Sequence, residues 1–339
     1  MRDALPTAQD QLPADHRRKL AAWLLSVAAM VAVMVVLGGL TRLTGSGLSM
    51  VQWNPHHLLP PLNAQEWQQA FALYQQTPEY RLVNTQMDVA GYQGIFLLEY
   101  IHRLWGRLIG LAFALPLAFF LWRRMVPPGW TSRLLVLFAL GGMQGLLGWL
   151  MVASGLVDRP EVSHFRLAAH LILALLILAA LLMTALALLD PPRRHHPLAF
   201  KLVVAVTVLA LTTMTWGALT AGLGAGHLYN SFPLMGDSLF PPEARPPLLN
   251  ALESPAAVHY VHRVLALTTW ACLSLLGWWA WLSKGPRPLV LAGLWGWVQA
   301  GLGISTVLLA VPLPLAALHQ GGAVVLVSLL TWALFCLRR

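Results

Sequence analysis

The chain is poor in charge and nearly empty of cysteine. Of its 339 residues only 10% are Asp, Glu, Lys or Arg, while 58% are hydrophobic. Mean hydropathy is +0.65. This composition excludes an ordinary soluble domain and indicates a membrane protein. The two cysteines, Cys272 and Cys336, lie inside apolar stretches, with no CxxC and no loop pair. No disulfide or zinc site is therefore indicated. Lysine occurs only at Lys19, Lys201 and Lys284, so most of the +9 net charge is arginine.

What is present is a set of long apolar runs. A spanning helix needs about 20 apolar residues. Eight segments qualify, near 20–40, 96–122, 132–153, 165–189, 200–221, 257–282, 288–310 and 315–337. The first follows Arg17, Arg18 and Lys19 as a signal peptide would. It is too long for a typical signal core and lacks a small-residue cleavage site, so it reads as a retained helix. The acids in the opening MRDALPTAQDQLPAD argue against a mitochondrial transit peptide.

Lys and Arg set the orientation. With the N-terminus in the cytoplasm and strict alternation, the cytoplasmic set holds all three lysines and both arginine-rich turns, Arg123/Arg124 and Arg193/Arg194. The outer set is Arg only, and Asp190 is the one acid inside after residue 15. The positive charge is thus a topology signal, and a nucleic-acid partner is excluded. The expected fold is an all-α integral membrane protein of eight transmembrane helices with both termini cytoplasmic.

The two halves repeat. EYIHRLWGRLIGLA matches HYVHRVLALTTWA; GGMQGLLGWLMVASG matches GWVQAGLGISTVLLA; GGLTRLTGSGLSM matches GALTAGLGAGHLY. Two four-helix units are expected, 16–190 and 191–339, as parallel repeats about an axis along the membrane normal. The first carries a long outer loop over 41–95. Within that loop, NAQEW makes Asn63 an N-cap with Glu66 at the third helical position. A short amphipathic helix over the outer face, able to cover a substrate entrance, is expected there.

Four histidines recur in order: His102, His170, His262 and His319. An imidazole at membrane depth is costly and usually functional. Each lies about six or seven residues past its estimated helix start, so at about 1.5 Å per residue all four share one level near the outer face. Paired axial ligation of two haem irons fits that arrangement, His102 with His170 and His262 with His319. A metal cluster fits less well, because carboxylates are missing from the segments near 165–189, 257–282 and 315–337. Arg166, one turn before His170, is placed to pair with haem propionates; Arg42, Arg103 and Arg263 lie at a similar level. Glu99, one turn before His102, has His259 at the matching place in the second half. That asymmetry marks the first site as reactive and the second as an electron-transfer site, with a structural pairing of Glu99 to Arg103 as the other reading. His16, His56, His57, His164, His195, His196 and His227 read as surface or interfacial.

GGLTRLTGSGLSMVQWNP, EWQQAFALYQQTPEY and FLLEYIHRLWGRLIG, followed by the four histidines in order, resemble the heme A synthase family. The resemblance covers nearly the whole chain. It implies eight helices in two pseudo-symmetric halves and oxidation of the C8 methyl of heme O to a formyl group, giving heme A for cytochrome oxidase. It implies His102 and His170 as holders of the substrate haem, His262 and His319 as ligands of a heme b cofactor, and Glu99 as the catalytic acid. As partners it implies heme O and heme A, with heme O synthase and cytochrome oxidase assembly factors as candidate protein partners in the bacterial inner membrane. The electron acceptor and any homo-oligomer stay open. Some bacterial members carry cysteine pairs in outer loops; this chain resembles the cysteine-free proteobacterial and mitochondrial class. Two alternatives stand beside this reading: a di-haem cytochrome exchanging electrons with quinone, and a repeat-built transporter, which would need helices broken at the midplane.

Overall fold

The computed structural model describes residues 13–52, 59–156, 160–189, 195–244 and 252–338. His56, His57, Arg159, Asp190, Arg193, Arg194 and Arg245 lie outside the described residues. Among the described residues there are ten α-helices: α1 (Ala14–Leu43), α2 (Ala64–Tyr74), α3 (Pro78–Leu82), α4 (Val89–Trp122), α5 (Thr131–Gly155), α6 (His164–Leu189), α7 (Pro197–Gly222), α8 (Pro255–Leu282), α9 (Arg287–Leu308) and α10 (Leu313–Leu337). All but α2 and α3 are long and apolar enough to cross a membrane, which gives eight spans. No strand occurs among the described residues. Each span runs as one continuous helix, so the broken helices of the transporter alternative are not found.

Helix starts follow their caps. Asp88 accepts from Gly91 N at 2.8 Å and so begins α4 seven residues before the expected position 96. At about 1.5 Å per residue, this 34-residue helix exceeds the roughly 30 Å apolar thickness of a bilayer. Its first turns carry Tyr92 and Phe96, which pack with Phe71 and Tyr74 of α2 instead of facing lipid. The expected loop helix over residue 63 onward is there, and a second one, α3, follows it. Asn63 Oδ1 accepts from Glu66 N at 2.9 Å. Glu66 answers by accepting from Leu62 N at 2.7 Å, one residue earlier than the usual capping box.

The spans pack in two rings. In the first, α1 touches α4 and α6, and α5 touches α4 and α6; in the second, α7 touches α8 and α10, and α9 touches α8 and α10. α4 and α6 are thus diagonal in one ring, and α8 and α10 in the other. The rings meet where α6 packs on α7 and α10 packs on α1 and α6. One apolar core joins Leu20, Leu24 and Val27 of α1 to Leu175, Leu178 and Leu181 of α6; a second joins Val203 of α7, Leu289 of α9 and Leu330 of α10. Polar stitches cross between rings: Arg42 donates to the Gly222 carbonyl at 3.0 Å, and Gln320 donates to the Val35 carbonyl at 2.7 Å. Outward residues such as Leu115, Val136, Leu275 and Leu294 are apolar and exposed, as lipid contact requires.

Candidate haem sites at the histidine-bearing end

His102 stands on α4 and His170 on α6, the diagonal pair of the first ring; His262 on α8 and His319 on α10 are the diagonal pair of the second. His102 and His170 lie within electrostatic reach of each other, as do His262 and His319. Counting from helix starts does not give them one depth. His102 is thirteen residues past Val89, while the others are six or seven past theirs. The extra turns of α4 account for the difference.

Register is set instead by glycine. A Cβ on Gly38 would lie 3.4 Å from His102 Nε2, one on Gly148 3.0 Å from His170 Cε1, one on Gly217 2.9 Å from His262 Cε1 and one on Gly303 2.9 Å from His319 Cε1. Each imidazole therefore rests on a glycine of the preceding span. The carriers correspond between halves: Gly38 and Gly217 open GGLT and GALT, and Gly148 and Gly303 each lie four residues after Gln144 or Gln299. Those glutamines also match. Gln144 donates to the His170 carbonyl at 2.9 Å and Gln299 to the His319 carbonyl at 2.8 Å.

The ring nitrogens differ. His262 Nδ1 meets the Thr213 carbonyl at 3.0 Å, and His319 Nδ1 meets Gln299 Nε2 at 3.3 Å. At His262 an Nδ1–H donated to a carbonyl leaves Nε2 for iron. His170 Nδ1 is buried without a partner. Two imidazoles on diagonal helices, each seated on a residue without a side chain, fit a planar macrocycle with two axial ligands. Among the described residues no group of three or more His, Cys, Asp or Glu is placed to hold a bare metal ion.

Above the histidines the halves share a second layer. Gly45 and Gly224 both adopt left-handed backbone, φ 65° and 61°, and each starts a short 3-10 turn. Arg103 reaches over the first turn, donating to the Met50 carbonyl at 2.9 Å; Arg263 does the same over the second, to the Tyr229 carbonyl at 2.8 Å. What precedes each arginine by one turn is different. Glu99, 2% exposed, pairs through Oε1 with Arg103 at 2.5 Å, and its Oε2 accepts from Ser49 Oγ at 2.7 Å and Met50 N at 2.8 Å. His259, 1% exposed, accepts from Arg263 Nε at 3.1 Å. The structural pairing of Glu99 with Arg103 exists, and it sits on the same helix as His102.

Arg166 is exposed and donates to the Leu150 carbonyl at the end of α5. His164 packs against Gly222, and His227 and His195 are exposed. Sequence reasoning passed over Ser49, Glu79 and the glycine seats. The seats were marked only by Gln-x-x-x-Gly at Gly148 and Gly303 and by GGLT and GALT at Gly38 and Gly217. Glu79, on α3, is buried and accepts from Tyr74 at 2.9 Å. Burial pushes its carboxyl up to about 7, with the charge of Glu99 adding to the rise.

A model of the cytochrome oxidase assembly protein family (COX15-CtaA) matches residues 21–331. A heme A synthase of Rhodospirillum centenum is 47% identical, covering 98% of this chain and 92% of its own. One of Paramagnetospirillum magneticum is 46% identical, covering 95% and 94%. The human heme A synthase COX15 is 41% identical, covering 95% of this chain and 83% of its own. With eight membrane spans, two matched histidine pairs and this breadth of similarity, the chain belongs to the heme A synthase family.

Proposed function

We propose that this protein is a heme A synthase that oxidises the C8 methyl of heme O to a formyl group, with residues 16–190 as the substrate half and 191–339 as the cofactor half. His102 and His170 hold heme O, and His262 and His319 hold a b-type haem. The observation that carries the assignment is a break in the matched pair of sites: a buried carboxylate, Glu99, where the other half has His259. The Lys and Arg bias supports cytoplasmic termini and haem sites toward the periplasmic side of a bacterial inner membrane. Arg166, exposed one turn before His170, would pair with the haem propionates.

In each of two stages the methyl carbon gains one oxygen at the level of water and gives two electrons to an external acceptor and two protons to solvent, passing through the alcohol to the gem-diol, which expels water. The b-type haem, when bound, supplies one-electron transfer. The chain does the rest. The glycine seats fix the imidazoles, and Gln144 anchors the backbone of His170. Glu99 has both oxygens engaged by Arg103, Ser49 and Met50, which holds it rigidly beside His102. A fixed carboxylate stabilises positive charge developing at the methyl carbon without reorganising.

The test is Glu99→Ala followed by haem extraction and chromatography. Heme O accumulating in place of heme A, with the second-half haem retained, supports the assignment. An unchanged heme A yield removes Glu99 from the mechanism. A protein that binds haem but never yields heme A would be an electron carrier instead.

A further inference from the structure

The two halves differ most along one seam. In the second half α8 and α9 close tightly: a Cβ on Gly277 would lie 2.8 Å from Gly293 Cα. Towards the histidine-bearing end of that seam Trp270 and Trp297 meet edge-on, centroids 4.6 Å apart and planes at 86°. Trp270 lies eight residues after His262, and Trp297 two before Gln299. The matching positions in the first half, eight after His102 and two before Gln144, are Gly110 and Gly142. Neither has any atom within 4 Å of where a Cβ would stand. Beyond them α4 and α5 are held apart by Phe113 and Phe138, stacked at 5.9 Å, where the other half has Leu273 and Gly293 in close contact.

Two indoles are therefore missing from the first half, and the space they fill in the second is open there. Nearer the loops, Arg103 of α4 and Trp149 and Val152 of α5 line a cleft with Met50 and Val51. Arg103 is the partner of Glu99, and Gly148, one residue before Trp149, is the seat of His170. Gly110 and Gly142 are exposed, as is Trp297 in the counterpart, so the gap faces sideways toward lipid.

We propose that the α4–α5 gap at Gly110 and Gly142 holds the isoprenoid side chain of the substrate haem. The proposal rests on the heme O reading above. Heme O carries a long, branched, apolar tail that a b-type haem lacks. A tail of this kind is favoured by an apolar groove in proportion to the area it removes from water. The half assigned to the tail-free haem has the same groove filled by tryptophan. An opening toward the bilayer also gives a lipid-soluble substrate a lateral way in.

The test uses the full-length protein in detergent, titrated with heme O and with protohaem, reading the Soret change of the first-half site. The second-half haem serves as the folding control. The wild type is expected to bind heme O at least about tenfold more tightly than protohaem. Gly142→Trp and the milder Gly142→Leu are each expected to weaken heme O binding about tenfold or more while changing protohaem affinity less than about threefold. Equal wild-type affinity for the two haems overturns the proposal, whatever the variants do. Equal effects of the substitutions on both haems also overturn it, as does a change in oligomeric mass with haem preference intact. Heme A formation by the wild type is scored separately. Heme A made without any preference for the tail sinks the groove alone. A preference for the tail without heme A formation sinks the proposed activity alone.

Discussion

Glu99 and Arg103 form an ion pair of 2.5 Å within one turn of α4, with side chains only 3% and 10% exposed. The pair is knitted to the first loop, because Arg103 also donates to the Met50 carbonyl and Glu99 accepts from Ser49 and Met50. Removing one member strands the other. Arg103→Leu leaves a buried carboxylate without its cation, a loss of the order of 3–5 kcal/mol for buried pairs. We expect Arg103→Leu to lower thermal stability more than Glu99→Gln, which keeps hydrogen-bonding atoms in place. A melting curve of the solubilised protein in which the two variants are equally stable would contradict this ordering.

The glycine seats predict a divided response. Gly303→Val and Gly217→Val put a branched side chain against His319 and His262, and should abolish the resident haem spectrum. Gly148→Val should leave that spectrum in place and remove haem from the first site. Optical and electron paramagnetic resonance spectra of each variant distinguish these outcomes. Retention of both low-spin signals in all three would refute the seating role.

Glu79 gives the first loop a pH response with a definite sign. Burial raises its carboxyl from 4.5 to about 7, so the folded protein binds the proton more tightly than the unfolded chain does. Stability of the loop is therefore highest in acid and falls as pH rises from about 4.5 through about 7. Tyr74, Glu99 and Arg42 are the groups that act on it. Glu79→Gln should flatten the response and tighten the loop at pH 8. Hydrogen exchange of α2 and α3 at pH 5 and pH 8 reads this directly, and a wild-type loop that tightens with rising pH would reverse the sign.

Asn63 is a simpler case. Its side chain caps α2 at Glu66 N, and such caps are typically worth about 1 kcal/mol. Asn63→Ala should speed hydrogen exchange in Ala64–Tyr74 several-fold without altering either histidine site. An effect that spreads to α4 would mean that the loop helix and the site are one cooperative unit.

The long apolar runs, with few charges between them, determined the number of spans, because backbone in lipid must satisfy its own hydrogen bonds and so folds as helix. Repeated EYIHR and HYVHR, with a later histidine in each half, determined which imidazoles belong together. The break at Glu99 and His259 was equally plain, since matched sequences expose any position where they differ. Tertiary structure decided the rest. Where α4 begins depended on Asp88 and on loop helices that shield Tyr92 and Phe96, so apolar residues alone placed the start of that helix seven residues late. Glu99 has three partners, two of them from a turn fifty residues away, and no local pattern announces them. The glycine seats and the empty α4–α5 seam are properties of two helices at once. A glycine states only that a side chain is missing; packing alone says whether an imidazole, a backbone or open space stands in its place.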